Sequence, residues 1–424
     1  MHMTKQYMPR IIDEELKMQL AISGAVLIVG PKWCGKTRTA EEQARSVIYM
    51  QDPDNVASYR ITAEAKPSVL LSGETPRLID EWQVAPVLWN AVRFAVDKRR
   101  ERGQFILTGS VVPPQFDDMH TGTGRISRVI MRTMSLFESG ESNGAISLKD
   151  LFSGKTNMSG QSDISLEQMA FLITRGGWPE AVNETNEKYA VKIVDNYLNA
   201  VVSHDISSID KVERSPQRAS ALIRSISRNL STEASATTIK DDLAINDETL
   251  SAKTISEYVI ALKKIYVIED LPAWSPHLCS KRAIRTTAKR HFVDPSIATA
   301  SLQANANKLM EDFLTYGLIF ESFCIRDLRI YASSLGGSVY HYRDQVGVEV
   351  DAIIQLRDEN WGAVEIKLGA GMIEEAAENL LKFSSNIDTT RTPAPSFLMV
   401  LTATEYAFQM KNGVWVVPLG CLRD

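Results

Sequence analysis

Cysteine is scarce in this chain: Cys34, Cys279, Cys324 and Cys421 are the whole complement of 424 residues, with no Cys-x-x-Cys pair and no histidine at metal-site spacing beside them. A disulfide framework and a structural zinc site are therefore excluded as organising devices, and reduced thiols are expected. Long apolar runs are also missing. No stretch reaches the roughly 18 uncharged apolar residues of a membrane span, and the first 17 residues lack the apolar run and cleavage site of a secretory signal. The expectation is a cytoplasmic protein with no membrane segment. There is no internal repeat and no low-complexity tract. Net charge is small, at -5, which gives no global signal for nucleic acid. That average hides an uneven distribution: residues 211–290 carry 14 Lys and Arg against 9 Asp and Glu, an excess of 14 − 9 = 5, and Lys281 to Arg290 holds five basic residues without an acid. An anionic partner such as DNA would dock there, or the residues form a solvated basic face with no ligand.

What is present is ordinary for globular proteins, 44% hydrophobic and 23% charged, over a length that predicts two or three domains. From Ala25 to about Ser135 short apolar strands alternate with helical segments: Ala25–Val29, Val47–Met50, Arg77–Asp80, Gln104–Thr108 and Arg128–Met134. This predicts a parallel sheet with crossover helices over residues 1–140. The Ser-, Gly- and Asn-rich stretch 139–162 reads as a connection, opening a linker and helical lid over 141–230 with helices at Leu166–Thr174, Glu187–Ile209 and Gln217–Leu230. Residues 231–275 read as short helices, Thr238–Ala244 and Leu250–Ile265, followed by an apolar segment. That order resembles a winged helix-turn-helix presenting Lys253–Lys264 to DNA, although such modules also serve as packing units inside ATPases. Strands return over 276–424 around a long helix, Leu309–Asp327.

Gly30-Pro31-Lys32-Trp33-Cys34-Gly35-Lys36-Thr37 fits G-x-x-x-x-G-K-[ST] in full, follows an apolar strand and opens the helix beginning at Arg38. In that context the loop cradles nucleotide phosphates: glycines let backbone N–H groups point inward, Lys36 reaches the β- and γ-phosphates, and Thr37 places a hydroxyl on magnesium. These eight residues and Arg38 are the candidate contacts for ATP. Arg77-Leu78-Ile79-Asp80-Glu81 is an apolar strand ending in two carboxylates. Asp80 would hold Mg²⁺, and Glu81 would orient and deprotonate the attacking water, which favours hydrolysis over transfer to an acceptor. Leu107-Thr108-Gly109-Ser110 ends a third strand, with Ser110 the candidate contact to the γ-phosphate or the water.

Taken with Gly124-Arg125 and Met134-Ser135-Leu136-Phe137-Glu138, these motifs in this order resemble a family of prokaryotic AAA+ ATPases that carry a C-terminal domain of unknown function with a winged helix and a nuclease-like fold. Gly176-Gly177-Trp178-Pro179-Glu180 and Phe292-Val293-Asp294-Pro295 extend the resemblance over almost the whole chain. It implies an α/β P-loop core, then a helical lid and winged helix, then an α/β restriction-endonuclease-like domain. It also implies an arginine that completes a neighbouring subunit's site in a homo-oligomer, with Arg125 and Arg128 as candidates. Trp33-Cys34 departs from related loops at variable positions.

Near the end, Val348–Ile354 and Ala363–Lys367 alternate as strands, which places Asp351 on one and Glu365 with Lys367 on the next, facing one side. This resembles the PD-(D/E)xK nucleases, in which two carboxylates bind magnesium and the lysine stabilises the phosphorane. Glu321 on the preceding helix would supply a further acid. Charged residues on a solvated strand face are the alternative, since folds outlive their sites. Three functions follow as expectations: an ATPase coupled to DNA or a partner, a slow nucleotide-gated switch binding a protein partner through an inactive nuclease-like domain, and an ATP-dependent nuclease.

Overall fold

The computed structural model describes residues 7–110, 122–208, 212–232, 236–244, 251–276, 287–344 and 347–424. Cys279 and the basic residues Lys281, Arg282 and Arg285 lie outside the described residues. Among those that are described, no helix is long and apolar enough to cross a membrane. The chain divides into two compact units, residues 1–133 with 264–266, and residues 134–263 with 267–424.

In the first unit, α1 (Ile12–Ile22), β1 (Ala25–Val29), α2 (Lys36–Glu41), β2 (Ser46–Tyr49), α3 (Val56–Ala65), β3 (Arg77–Asp80), α4 (Val87–Arg99), β4 (Phe105–Gly109) and β5 (Ile126–Ile130) succeed one another. The five strands form one parallel sheet in the order β2-β3-β4-β1-β5. All five residues of β1 are buried, as a central parallel strand covered on both faces requires. Its alternate residues feed two cores. Ala25, Leu27 and Val29 pack with Ile79, Leu107, Trp82, Leu88 and Trp89, while Val26 and Ile28 pack with Leu16, Leu20, Ala40 and Met131. The fifth strand ends at Ile130 and starts at Ile126, earlier at both ends than the sequence pattern predicts.

The second unit begins with β6 (Ile146–Ser147), α5 (Leu148–Phe152) and β7 (Gly160–Gln161), then α6 (Leu166–Arg175), α7 (Pro179–Val182) and α8 (Glu187–Ala200). The stretch 139–162, expected to be a connection, is instead built into the sheets. β7 pairs with β14 (Tyr406–Gln409) and β6 with β16 (Leu422–Arg423). Its short polar residues make this possible by bonding backbone: Ser142 Oγ donates to Leu422 O at 2.7 Å and Asn143 Nδ2 to Gln161 O at 2.7 Å. The helix expected over Glu187–Ile209 stops being α-helical at Ala200 and widens into a π-turn over Val201–Asp205, followed by α9 (Ile206–Ser208).

After α10 (Pro216–Arg228), α11 (Ala236–Ala244) and α12 (Ala252–Lys264) lead to β8 (Ile268–Leu271), which pairs antiparallel with β9 (Lys289–Phe292), Ile268 opposite Phe292. The expected boundary at 275/276 therefore falls inside a strand pair. Following α13 (Ser296–Leu302), the long helix splits into α14 (Ala306–Glu311) and α15 (Phe313–Ser334). Asp312 breaks it, because its carboxylate caps the second helix by accepting from Thr315 N at 3.1 Å.

The remaining strands are β10 (Ser338–Arg343), β11 (Glu349–Gln355), β12 (Trp361–Lys367), β13 (Phe397–Thr402) and β15 (Trp415–Pro418), with α16 (Ile373–Ser385) between β12 and β13. With β14 and β7 they form a sheet ordered β10-β11-β12-β13-β15-β14-β7. Trp274, Trp361, Phe383, Leu380 and Val400 fill one of its cores.

Candidate active site

The P-loop leaves the C-terminal end of β1, where ligands bind in open parallel sheets. Gly30 has φ of +153°, and a Cβ there would lie 2.0 Å from Met131 O, so only glycine fits. Gly35, at φ of +103°, turns the chain into α2. Trp33 occupies the left-handed region at φ of +66°, unusual for an aromatic residue, and stands half-exposed at the rim. Lys36 is buried, and its Nζ donates to Pro31 O at 2.7 Å and Gly30 O at 3.1 Å, which aims its charge across the mouth of the loop.

Beneath the loop, one carboxylate oxygen gathers two hydroxyls. Thr37 Oγ1 and Thr108 Oγ1 each donate to Asp80 Oδ1 at 2.7 Å. Thr108 Oγ1 also accepts from Glu81 N at 3.0 Å, which joins the ends of β3 and β4. Glu81 sits at φ of +53°, a left-handed backbone at the strand tip. Its carboxylate accepts from Ser110 Oγ at 3.3 Å and from Gln83 Nε2. A cleft of about 450 Å³ opens here, lined by Lys32, Trp33, Gly35, Lys36, Thr37, Arg38, Gln51, Glu81 and Ser110. Thr37 and Asp80 offer hard oxygens side by side, a donor pair that fits magnesium.

Sequence motifs brought most of this set together, but Thr108, Gln83, Gln51 and Arg10 were missed. Arg10 is buried; its Nη1 donates to Cys34 O and its Nη2 to Arg132 O, both at 2.9 Å, so it ties the P-loop to the end of β5. No motif marks it, because its partners are backbone carbonyls far away in sequence. Cys34 is buried, its thiol donating to Met131 O at 3.6 Å, which places it in the packing rather than at the cleft. The two candidate arginines do not line the cleft. Arg125 lies just before β5, at the opposite end of the sheet from the P-loop, where its Nε donates to Asp97 at 2.9 Å. Arg128 is exposed midway along β5, an edge strand.

In the second unit, Asp351, Glu365, Lys367 and Glu321 do converge. Lys367 Nζ donates to Glu365 at 2.7 Å and to Asp351 at 3.3 Å, and Asp351 also accepts from Ile366 N at 2.8 Å. Asn379 on α16 donates to the other oxygen of Glu365 at 2.7 Å. Lys289, on β9, was not anticipated; its Nζ donates to Glu321 at 3.2 Å. Burial, then the Asp351 charge, push Glu365 up to about 8 and Glu321 up to about 7. Among the described residues, no group of three or more His, Cys, Asp or Glu side chains is spaced to hold a metal ion. Lys367 and Asn379 take both Glu365 oxygens, so the magnesium that the resemblance implied would have to displace a hydrogen bond to reach that carboxylate.

Residues 23–139 match the model of an AAA domain. Residues 166–308 match a Domain of unknown function (DUF8612), and residues 316–422 another, Domain of unknown function (DUF4143). No curated protein matches the chain. Among solved structures, the Walker-type ATPase PabY2304 of Pyrococcus abyssi is similar at 15% identity and a TM-score of 0.41, over 68% of this chain and 94% of that one. The first unit thus combines a parallel α/β sheet carrying a P-loop with similarity to an AAA domain.

Proposed function

We propose that the chain hydrolyses ATP with magnesium at the P-loop and uses the nucleotide state to control what its second unit binds. The observation that carries this reading is the hydrogen-bonded set Thr37, Asp80 and Thr108, in which Thr37 and Asp80 are the residues next in the chain to Lys36 and Glu81. Magnesium, when bound, supplies charge neutralisation between the β- and γ-phosphates. The chain's own residues do the rest. Lys36 exchanges its carbonyl partners for phosphate oxygens. Glu81 accepts the proton of the attacking water, while Ser110 and Gln83 hold its carboxylate in place. Arg125 or Arg128 reaches another subunit's nucleotide if the protein assembles, since neither faces its own.

DNA is the less favoured partner. Within 211–290, Arg214 is buried against Ile206 O, and Lys289 is buried and paired with Glu321, which lies outside that stretch, so both are withdrawn from any surface DNA could reach. A protein partner, the switch reading, needs no basic excess. The deciding experiment is ATP turnover by the full chain with and without single- and double-stranded DNA. Lys36→Ala should lose ATP binding, and Glu81→Gln should bind ATP while turnover falls about 10²–10⁴-fold. Unchanged ATP affinity in the Lys36 variant refutes the site, normal turnover in the Glu81 variant refutes the base, and strong stimulation by DNA restores DNA as the partner.

A further inference from the structure

The cluster in the second unit has the residue types of a metal site and the wiring of something else. Glu321 comes from α15, Asp351 from β11, Glu365 and Lys367 from β12, and Lys289 from β9. Five side chains from four elements thus meet in a largely buried place. A divalent cation such as Mg²⁺ demands open carboxylate oxygens at about 2.1 Å in octahedral array. Here both Glu365 oxygens accept hydrogen bonds, one from Lys367 and one from Asn379, and Asp351 Oδ2 accepts two, from Lys367 and Ile366 N. Glu321 accepts from Lys289, a lysine only 7% exposed.

We propose that Lys289 takes the place of a divalent cation in this cluster, so that its carboxylates are held together by two ammonium groups and the site excludes magnesium. Three carboxylates against Lys289 and Lys367 carry a formal charge of −3 + 2 = −1 when all are ionised, and each lysine already holds carboxylate oxygens that a small dication would need. Burial would push the Lys289 ammonium down, but Glu321, Asp351 and Glu349 outweigh it and hold the group above its ordinary range, so it stays charged at neutral pH. The consequence is a carboxylate cluster that organises the sheet and helix around it and does not cut phosphodiesters. This stands apart from the ATP reading, which concerns the other unit.

Manganese titration of the nucleotide-free full chain, counting free Mn²⁺ by its paramagnetic resonance signal, tests it. The wild type should show no site tighter than about 1 mM that Asp351→Asn removes. Lys289→Met should gain one such site, lost again when Asp351→Asn is added. A wild-type site abolished by Asp351→Asn overturns the proposal, and so does a folded Lys289→Met protein that gains nothing. If that variant fails to fold by circular dichroism, Lys289→Gln takes its place, and the comparison of wild type with Asp351→Asn needs neither. Failure here leaves ATP binding by the wild type untouched, so the two readings fall separately.

Discussion

Arg326 and Asp294 form an ion pair at 3.1 Å with both side chains sealed from solvent, at 1% and 0% exposure. Arg326 also holds Asp327 at 2.6 Å. Around this pair the motif segments converge: Asp294 accepts from Gly177 N at 2.8 Å and Ser296 N at 3.0 Å, Asp327 accepts from Leu136 N at 2.9 Å, and Trp178 Nε1 donates to Ser296 Oγ at 3.0 Å. The Met134–Glu138, Gly176–Glu180 and Phe292–Pro295 segments are thus parts of one buried node, and their role is architectural.

Removing one partner of such a pair leaves an uncompensated buried charge. Arg326→Met should destabilise the second unit by about 3–5 kcal/mol, read as a shift in its urea or thermal unfolding transition. A loss below about 1 kcal/mol, the range of exposed ion pairs, would show that the node carries no structural weight.

Thr108 hydrogen-bonds both Asp80 and Glu81 without lining the cleft. Thr108→Val, which keeps the shape but deletes the hydroxyl, should lower turnover about 10–100-fold, as losses of groups that orient metal ligands do. The half-saturating Mg²⁺ concentration should rise, while Thr108→Ser retains most activity. An unchanged magnesium requirement would assign Thr108 to packing alone.

Arg10 braces the P-loop from behind through Cys34 O and Arg132 O. Hydrogen bonds from a charged donor contribute about 1.5–3 kcal/mol, so Arg10→Met should weaken ATP binding roughly 10-fold or more. The readout is ATP affinity in Glu81→Gln protein, where hydrolysis does not interfere. Unaltered affinity would mean that the loop holds its shape without the brace.

Glu365 gives the second unit a pH signature. Its carboxyl, ordinarily near 4.5, is pushed up to about 8 by burial and by Asp351. Between those values the folded state keeps a proton that the unfolded chain has released. Stability contributed by this group is therefore greatest at acid pH and declines as pH rises from about 5 to 8, where it levels off. Glu365→Gln, which mimics the protonated form, should flatten that decline in unfolding midpoints measured across the range. Parallel pH slopes in wild type and variant would count against a protonated Glu365. Glu321, raised to about 7, acts in the same direction over a lower window.

Local chemistry made the nucleotide site legible. A P-loop is contiguous, its glycines are demanded by backbone geometry, and Asp80-Glu81 ends an apolar strand, so the residues that meet at the cleft could be read from local order. The strand positions of Asp351, Glu365 and Lys367 were legible for the same reason, because period-two alternation assigns faces. Tertiary structure alone decided which hydroxyl serves Asp80, since Thr108 and Ser110 are two residues apart and only pairing of β3 with β4 tells them apart. It alone decided that Arg10 braces the loop, that residues 139–162 pair into sheets, and that Lys289 reaches Glu321 across 32 positions. These outcomes depend on long-range packing and on backbone carbonyls, which every residue carries and no sequence pattern marks. The sheet and loop follow from local residue order, whereas the partners of buried charges follow from which distant segments the fold brings within about 3 Å, where desolvation makes pairing obligatory.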